Sequence, residues 1–123
     1  MLERELTISR SRLMKYRVNF LPAAEDDLFG IYKFVRLNDS KSVAEKLFNK
    51  LHEKCTALKN YPERGHCPPE LQFLEIYDFL EIHYKPYRII YQVIGRQVFV
   101  HCILDGRRDM QKLLQERLLR EER

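Results

Sequence analysis

No apolar run in this sequence approaches the roughly 20 residues that a membrane-spanning helix requires. The first residues, MLERELTISRSRL, lack the apolar segment of a secretory signal. Membrane insertion and export are therefore not expected, and the expected localisation is cytoplasmic. Cysteine is scarce, with only Cys55, Cys67 and Cys102. An odd number without Cys-x-x-Cys spacing argues against a disulfide framework and a thiolate-rich structural zinc site. It fits a reducing cytoplasm. His52 and Cys55 lie three apart on a predicted helix and could share a metal, but a surface histidine near a core thiol is the more ordinary arrangement. No metal and no cofactor are expected. Internal repeats and low-complexity segments are also missing.

What is present fits one domain: 123 residues, 45% hydrophobic and 33% charged, enough for a single core. Residues 1–14 read as an N-terminal extension and residues 15–123 as the domain. The net charge of +4 is unevenly placed. Residues 22–84 carry eight basic and eleven acidic side chains, whereas residues 1–21 carry five and two, and residues 85–123 nine and five. The basic surplus at both ends favours an acidic or polyanionic partner, but it is too small to mark a nucleic-acid binder by itself.

Hydrophobic periodicity sets out the elements. KYRVNF (15–20) predicts a strand. Pro22 then opens a helix, with Glu25, Asp26 and Asp27 at the positive end of its dipole. Leu28, Ile31, Tyr32 and Val35 follow the helical spacing. A second helix carries Ala44, Leu47, Phe48, Leu51, Cys55 and Leu58 on one side and lysines on the other. Asn38, Asp39 and Ser40 break the two helices, and Ser42 with Glu45 fits a capping box. The loop ERGHCPPELQ follows. Strands are predicted over 79–84, 87–94 and 97–104, joined by two-residue turns at Lys85-Pro86 and Gly95-Arg96. Asp109 then caps a terminal helix containing Met110, Leu113, Leu114 and Leu118. The order is β-α-α-β-β-β-α: an α+β fold, an antiparallel sheet packed on an N-terminal helical hairpin, with a C-terminal helix.

Two-residue turns fix a register. Ile94 then faces Gln97, Gln92 faces Phe99, Ile90 faces His101 and Arg88 faces Ile103. Glu81 faces Ile90, and His83 faces Arg88. Tyr87, Ile89, Tyr91, Val93, Val98, Val100, Cys102 and Leu104 share one apolar face, expected to cover the helical hairpin. Glu81, His83, Arg88, Ile90, Gln92, Phe99, His101 and Ile103 share the other, expected to stay half open. Arg88 thus lies outside the main core, beside histidines, with Arg107 and Arg108 where the last strand ends. On pattern alone, Glu81 and Arg88 fit a surface ion pair as well as they fit a functional site.

YRIIYQVIGRQVFV followed by LDGRRDM, after a helical hairpin beginning LPAAEDDL, resembles the RelE/ParE superfamily of toxins from bacterial type II toxin–antitoxin modules. The resemblance covers residues 15–120. It implies the fold just described and a cognate antitoxin, small, acidic and partly disordered, that forms a hetero-oligomer with the toxin. ParE-like members inhibit DNA gyrase and arrest growth. RelE-like members cut messenger RNA on the ribosome. Cutting needs a base for the ribose 2′-OH, cations for the phosphorane and an acid for the leaving oxygen. Glu81, His83, Arg88, His101 and Arg108 are the candidates for that endonuclease site. However, Phe79 and Glu81 stand where RelE-like nucleases tend to carry lysines, and Leu114 stands near a common catalytic tyrosine. GRRD and the long helical hairpin look more like ParE. The favoured expectation is a gyrase inhibitor without catalytic residues, using Arg88, Arg107 and Arg108 to bind its target. An antitoxin-binding remnant without toxicity is the third alternative.

Overall fold

In the computed structural model, which describes residues 15–119, strand β1 (Arg17–Phe20) turns at once into helix α1 (Pro22–Asn38). Pro22 suits that start because the first turn has no use for its missing N–H. Helix α2 (Lys41–Thr56) returns antiparallel to it. Its cap is Ser40, whose hydroxyl accepts from the Val43 amide, so the Ser42–Glu45 alternative is not the one used. The loop expected after α2 is more ordered than its composition implies. It forms a 3₁₀ turn at Pro62–Arg64 and a one-turn helix, α3 (Pro69–Gln72), while the end of the expected second helix is itself a 3₁₀ turn, Ala57–Lys59. Strands β2 (Leu80–Tyr84), β3 (Tyr87–Ile94) and β4 (Gln97–Asp105) and helix α4 (Met110–Leu118) complete the fold. Asp109 caps α4 by accepting from the Lys112 amide. The expected N-terminal extension lies outside the described residues. No described helix is long and apolar enough to cross a membrane.

The expected α+β order is present. The sheet order is β1-β4-β3-β2, and β1 joins β4 in parallel, so the sheet is mixed. Parallel neighbours need a long crossover, and the α1–α2 hairpin is part of that connection. At the β3–β4 turn, Gly95 has a φ of 61°, the left-handed conformation that the first position of a type II′ turn demands. The expected pairs Ile94–Gln97 and Gln92–Phe99 form there, and Glu81–Ile90 and His83–Arg88 form between β2 and β3.

Farther along β4 the register departs from the expectation. Tyr91 pairs with Val100 and Ile90 with Cys102, so His101 is an extra residue in a β-bulge. Arg88 consequently pairs with Leu104 instead of Ile103. One extra residue exchanges the faces of everything beyond it. Ile103 therefore joins Ala24, Leu28, Leu51, Cys55, Ile89 and Val100 under the helical hairpin. Cys102 and Leu104 move to the opposite side with Ile90. The bulge has two side-chain partners. Asp27 accepts from the Ile103 amide at 2.9 Å, and Arg117 donates to the His101 carbonyl at 3.3 Å while pairing with Asp27. Asp27 thus serves the sheet as well as belonging to the acidic start of α1.

The second face is not half open. Leu71 of α3 and Met110 and Leu114 of α4 cover Phe79, Ile90, Cys102 and Leu104 to make a second, smaller core. Charged residues on that face are roofed except along the β2 edge.

Candidate functional site

Arg88 sits at the middle of a charged cluster built by strand alternation and by the loop before β2. On β2, Glu81 and His83 are two apart and point to one side, the side shared by Arg88 on β3. Arg88 donates from Nε to Glu81 Oε1 at 2.7 Å and from Nη2 to Oε2 at 3.1 Å. Its Nη1 and Nη2 reach Glu70 Oε2 and Oε1 at 2.8 and 2.6 Å. The planar guanidinium is thus forked onto two carboxylates. Hydrogen bonding to Glu70 raises the already high pKa of Arg88, and the same bond holds Glu70 below its ordinary value.

Glu81 is only 1% exposed. Burial of a lone carboxylate would cost several kcal/mol, of order the penalty for any unpaired buried ion, and Arg88 supplies the counter-charge. Two imidazoles also converge on it. His66 Nε2 lies 3.1 Å from Glu81 Oε2, and His83 Nε2 lies 3.4 Å from Oε1. The rings meet edge to face with centroids 5.4 Å apart. His66 is placed by a two-way backbone bridge: its amide donates to the Glu81 carbonyl at 3.1 Å, and the Glu81 amide donates back at 2.7 Å. Gly65 allows this approach, because a Cβ there would lie 2.5 Å from the Glu81 carbonyl oxygen and from the Tyr91 hydroxyl.

The Gly-Arg-Arg-Asp segment has a division of labour. A Cβ on Gly106 would lie 2.8 Å from Arg88 Cδ and 3.0 Å from the Pro86 carbonyl oxygen, so glycine leaves room for the Arg88 stem. Arg107 folds back onto Asp105 through bonds of 2.9 and 2.6 Å and depresses the Asp105 pKa. Arg108 is exposed and has no ion pair among the described residues. Asp109 is the helix cap.

Of the five candidates for an endonuclease, Glu81, His83 and Arg88 come together and His101 does not join them. As the bulge residue, His101 bonds Gln92 at 2.8 Å and packs edge-on against Phe79. Burial, and then the Arg117 charge, lower its pKa from 6.5. Arg108 lies beyond the end of β4. Two residues that the sequence reading did not single out, His66 and Glu70, complete the cluster. Their only signal was their place in a loop rich in proline and polar residues. The pair His52 and Cys55 offers no metal site: Cys55 is fully buried, its thiol pushed up to about 12 by burial, and His52 stacks on Phe20 and Phe48. Among the described residues, the group with ligand atoms close enough to share an ion is His66, Glu81 and His83.

Three solved structures with this architecture come from toxin–antitoxin systems. A chromosomal ParDE system from P. aeruginosa aligns with a TM-score of 0.62 at 17% identity, covering 73% of this chain and 95% of that one. The RelBE2 toxin–antitoxin complex from Mycobacterium tuberculosis aligns at 0.55 and 17%, covering 74% and 91%. An arginine double mutant of the E. coli toxin RelE in the free state aligns at 0.52 and 21%, covering 88% and 99%. At these identities the likeness is one of fold. No curated protein matches the chain by sequence. The model of the family described as ParE toxin of type II toxin–antitoxin system, parDE, matches residues 18–110, from β1 to the start of α4. The chain therefore belongs to the ParE toxin family of type II toxin–antitoxin systems.

Proposed function

We propose that this toxin acts as ParE-like proteins are expected to: it inhibits DNA gyrase in the cytoplasm, arrests growth and is neutralised by a cognate antitoxin. The observation that carries the reading, beside the family match, is the condition of Arg88. Cleavage of RNA asks for a cation free to meet the phosphorane, and the Arg88 fork is already committed to Glu70 and Glu81. His101, the other catalytic candidate on the sheet, is engaged with Gln92 and Phe79. Leu114 is fully buried and offers no proton. Arg108, by contrast, lies exposed at the sheet end without an ion pair among the described residues, and Arg107, though paired with Asp105, is exposed beside it. In this reading Arg88 braces the target-binding end through Gly106 and the adjoining turn.

One observation favours the second reading, a ribosome-dependent mRNA endonuclease: His66 and His83 place two acid–base groups around Glu81. The experiment that separates them pairs a gyrase supercoiling assay with translating ribosomes carrying a defined message. The gyrase reading expects lost supercoiling or trapped cleaved DNA, an intact message, and weaker inhibition by Arg107→Ala and Arg108→Ala. Message cut on the ribosome beside normal supercoiling, and slowed about 10²–10⁴-fold by His83→Ala, the range of an acid–base contribution, would replace it with the nuclease reading.

The antitoxin is proposed to be small, acidic and partly disordered, folding as it binds. The sheet face carrying Arg88 and His101, expected to stay half open, is covered in part by α3 and α4. The helical hairpin carries exposed apolar side chains, Phe29, Phe34, Leu37 and Val43, with Lys33, Arg36, Lys41 and Lys46 on the same helices. Exposed apolar side chains beside cations suit an amphipathic acidic helix.

A further inference from the structure

Arg88 bonds both oxygens of Glu81, but it also bonds both oxygens of Glu70, so the cluster sets one guanidinium against two carboxylates. His66 and His83 each bring Nε2 to Glu81 from different directions, and the three ligand atoms lie within 4.8 Å of one another. Two separate backbone devices bring this about. Strand alternation puts Glu81 and His83 on one side of β2, and the two-way bridge sets His66 directly opposite Glu81.

From this geometry we propose that His66, Glu81 and His83 bind a divalent transition-metal ion of the zinc type. Two imidazoles with one carboxylate form a donor set that suits Zn²⁺, Co²⁺, Ni²⁺ and Cu²⁺. Three protein ligands leave a fourth position for water. Bonds of about 2.0–2.2 Å around a tetrahedral ion place neighbouring ligand atoms roughly 3.3–3.6 Å apart. His66 Nε2 already stands 3.1 Å from Glu81 Oε2, and the three ligand atoms lie within 4.8 Å of one another, so His83, now nearest Oε1 at 3.4 Å, closes in on the ion. Each ring shifts its proton from Nε2 to Nδ1 and turns its lone pair to the ion. Glu81 uses Oε2, giving up there the 3.1 Å bond from Arg88 Nη2, while Arg88 Nε keeps Oε1 at 2.7 Å and steadies the carboxylate, as an outer-shell partner does. The local charge permits an added cation, because Glu70 and Glu81 together outweigh Arg88. Access is also built in. Glu81 is sealed at the floor, and the side chains of His66 and His83 are 60% and 41% exposed. This assignment is independent of whether gyrase or the ribosome is the target.

The test uses the full chain after chelator treatment and dialysis. ZnCl₂ is titrated by calorimetry, and CoCl₂ is followed by its visible absorption. The expected result is one equivalent of either ion, a melting temperature that rises with Zn²⁺ concentration, and Co²⁺ bands without a thiolate charge-transfer feature. His66→Ala and His83→Ala should each weaken Zn²⁺ binding by more than about 100-fold, the upper end of what outer-shell changes cause. Both rings are open to solvent, so the metal-free variants should melt close to the wild type. His52→Ala and Cys67→Ser should bind as the wild type does. No heat and no Co²⁺ bands at stoichiometric metal, full binding by His83→Ala, or a thiolate band lost in Cys67→Ser would each overturn the assignment.

Discussion

Removing Arg88 would leave Glu81 without its cation and Glu70 without its fork. Breaking one partner out of a buried ion pair costs about 3–5 kcal/mol, so Arg88→Met should lose stability of that size in urea denaturation at pH 7. The loss has a pH signature. Glu70 is held below its ordinary 4.5 in the folded chain by the Arg88 hydrogen bond. Its contribution is fully present above 4.5 and is lost as pH falls through the depressed folded value. Wild type and Arg88→Met should therefore converge in stability at acid pH, and a gap that stays constant would refute the pairing. His101 makes a second contribution with its own window. Its folded pKa lies below 6.5, so between those values the unfolded chain holds the extra proton. Wild type should lose stability as pH falls below 6.5, and His101→Asn should flatten that limb of the curve.

The bulge in β4 is the element on which the packing turns. Ile103 lies in the core beneath the helical hairpin, 1% exposed, and Ile103→Ala should cost about 2–5 kcal/mol. Under the unbulged register the same side chain would face the other way, half open, and its loss would be nearly neutral. Asp27 is the test of what sustains the bulge. Asp27→Ala strips the Ile103 amide and Arg117 of their acceptor. An unsatisfied buried donor costs about 1–3 kcal/mol, and faster hydrogen exchange at the Ile103 amide should accompany the loss. Unchanged exchange there would show that the bulge holds without α1.

At the scale of the molecule, two layers of helix enclose one sheet, and each leaves a different surface. The α1–α2 side presents exposed phenylalanines and Leu37, and the α3–α4 side presents charge along the β2 edge. Leu37→Glu or Phe34→Glu should leave the melting temperature of the free toxin unchanged, because both side chains are already in solvent. Either should weaken antitoxin binding by more than tenfold in a pull-down or calorimetric titration. Undiminished binding by both would move the antitoxin to another face.

Local pattern determined most of the elements. Helical spacing from Leu28 to Val35 and from Ala44 to Leu58, the Gly95-Arg96 turn and the Asp109 cap are set by residues within a few positions of one another, and short-range physics decides such features. The order of the elements and the RelE/ParE resemblance followed from them. Tertiary structure decided the rest. The bulge at His101 depends on Asp27 and Arg117, 76 residues from Ile103 and 16 from His101 respectively, and no alternation pattern in β4 carries that information. The parallel β1–β4 pairing depends on how the helical hairpin crosses the sheet. The Arg88 cluster shows the division most clearly. Glu81, His83 and Arg88 could be aligned from a two-residue turn, but His66 and Glu70 come from a loop with no periodicity. They reach Glu81 and Arg88 only because Gly65 permits backbone contact and α3 closes over the second core.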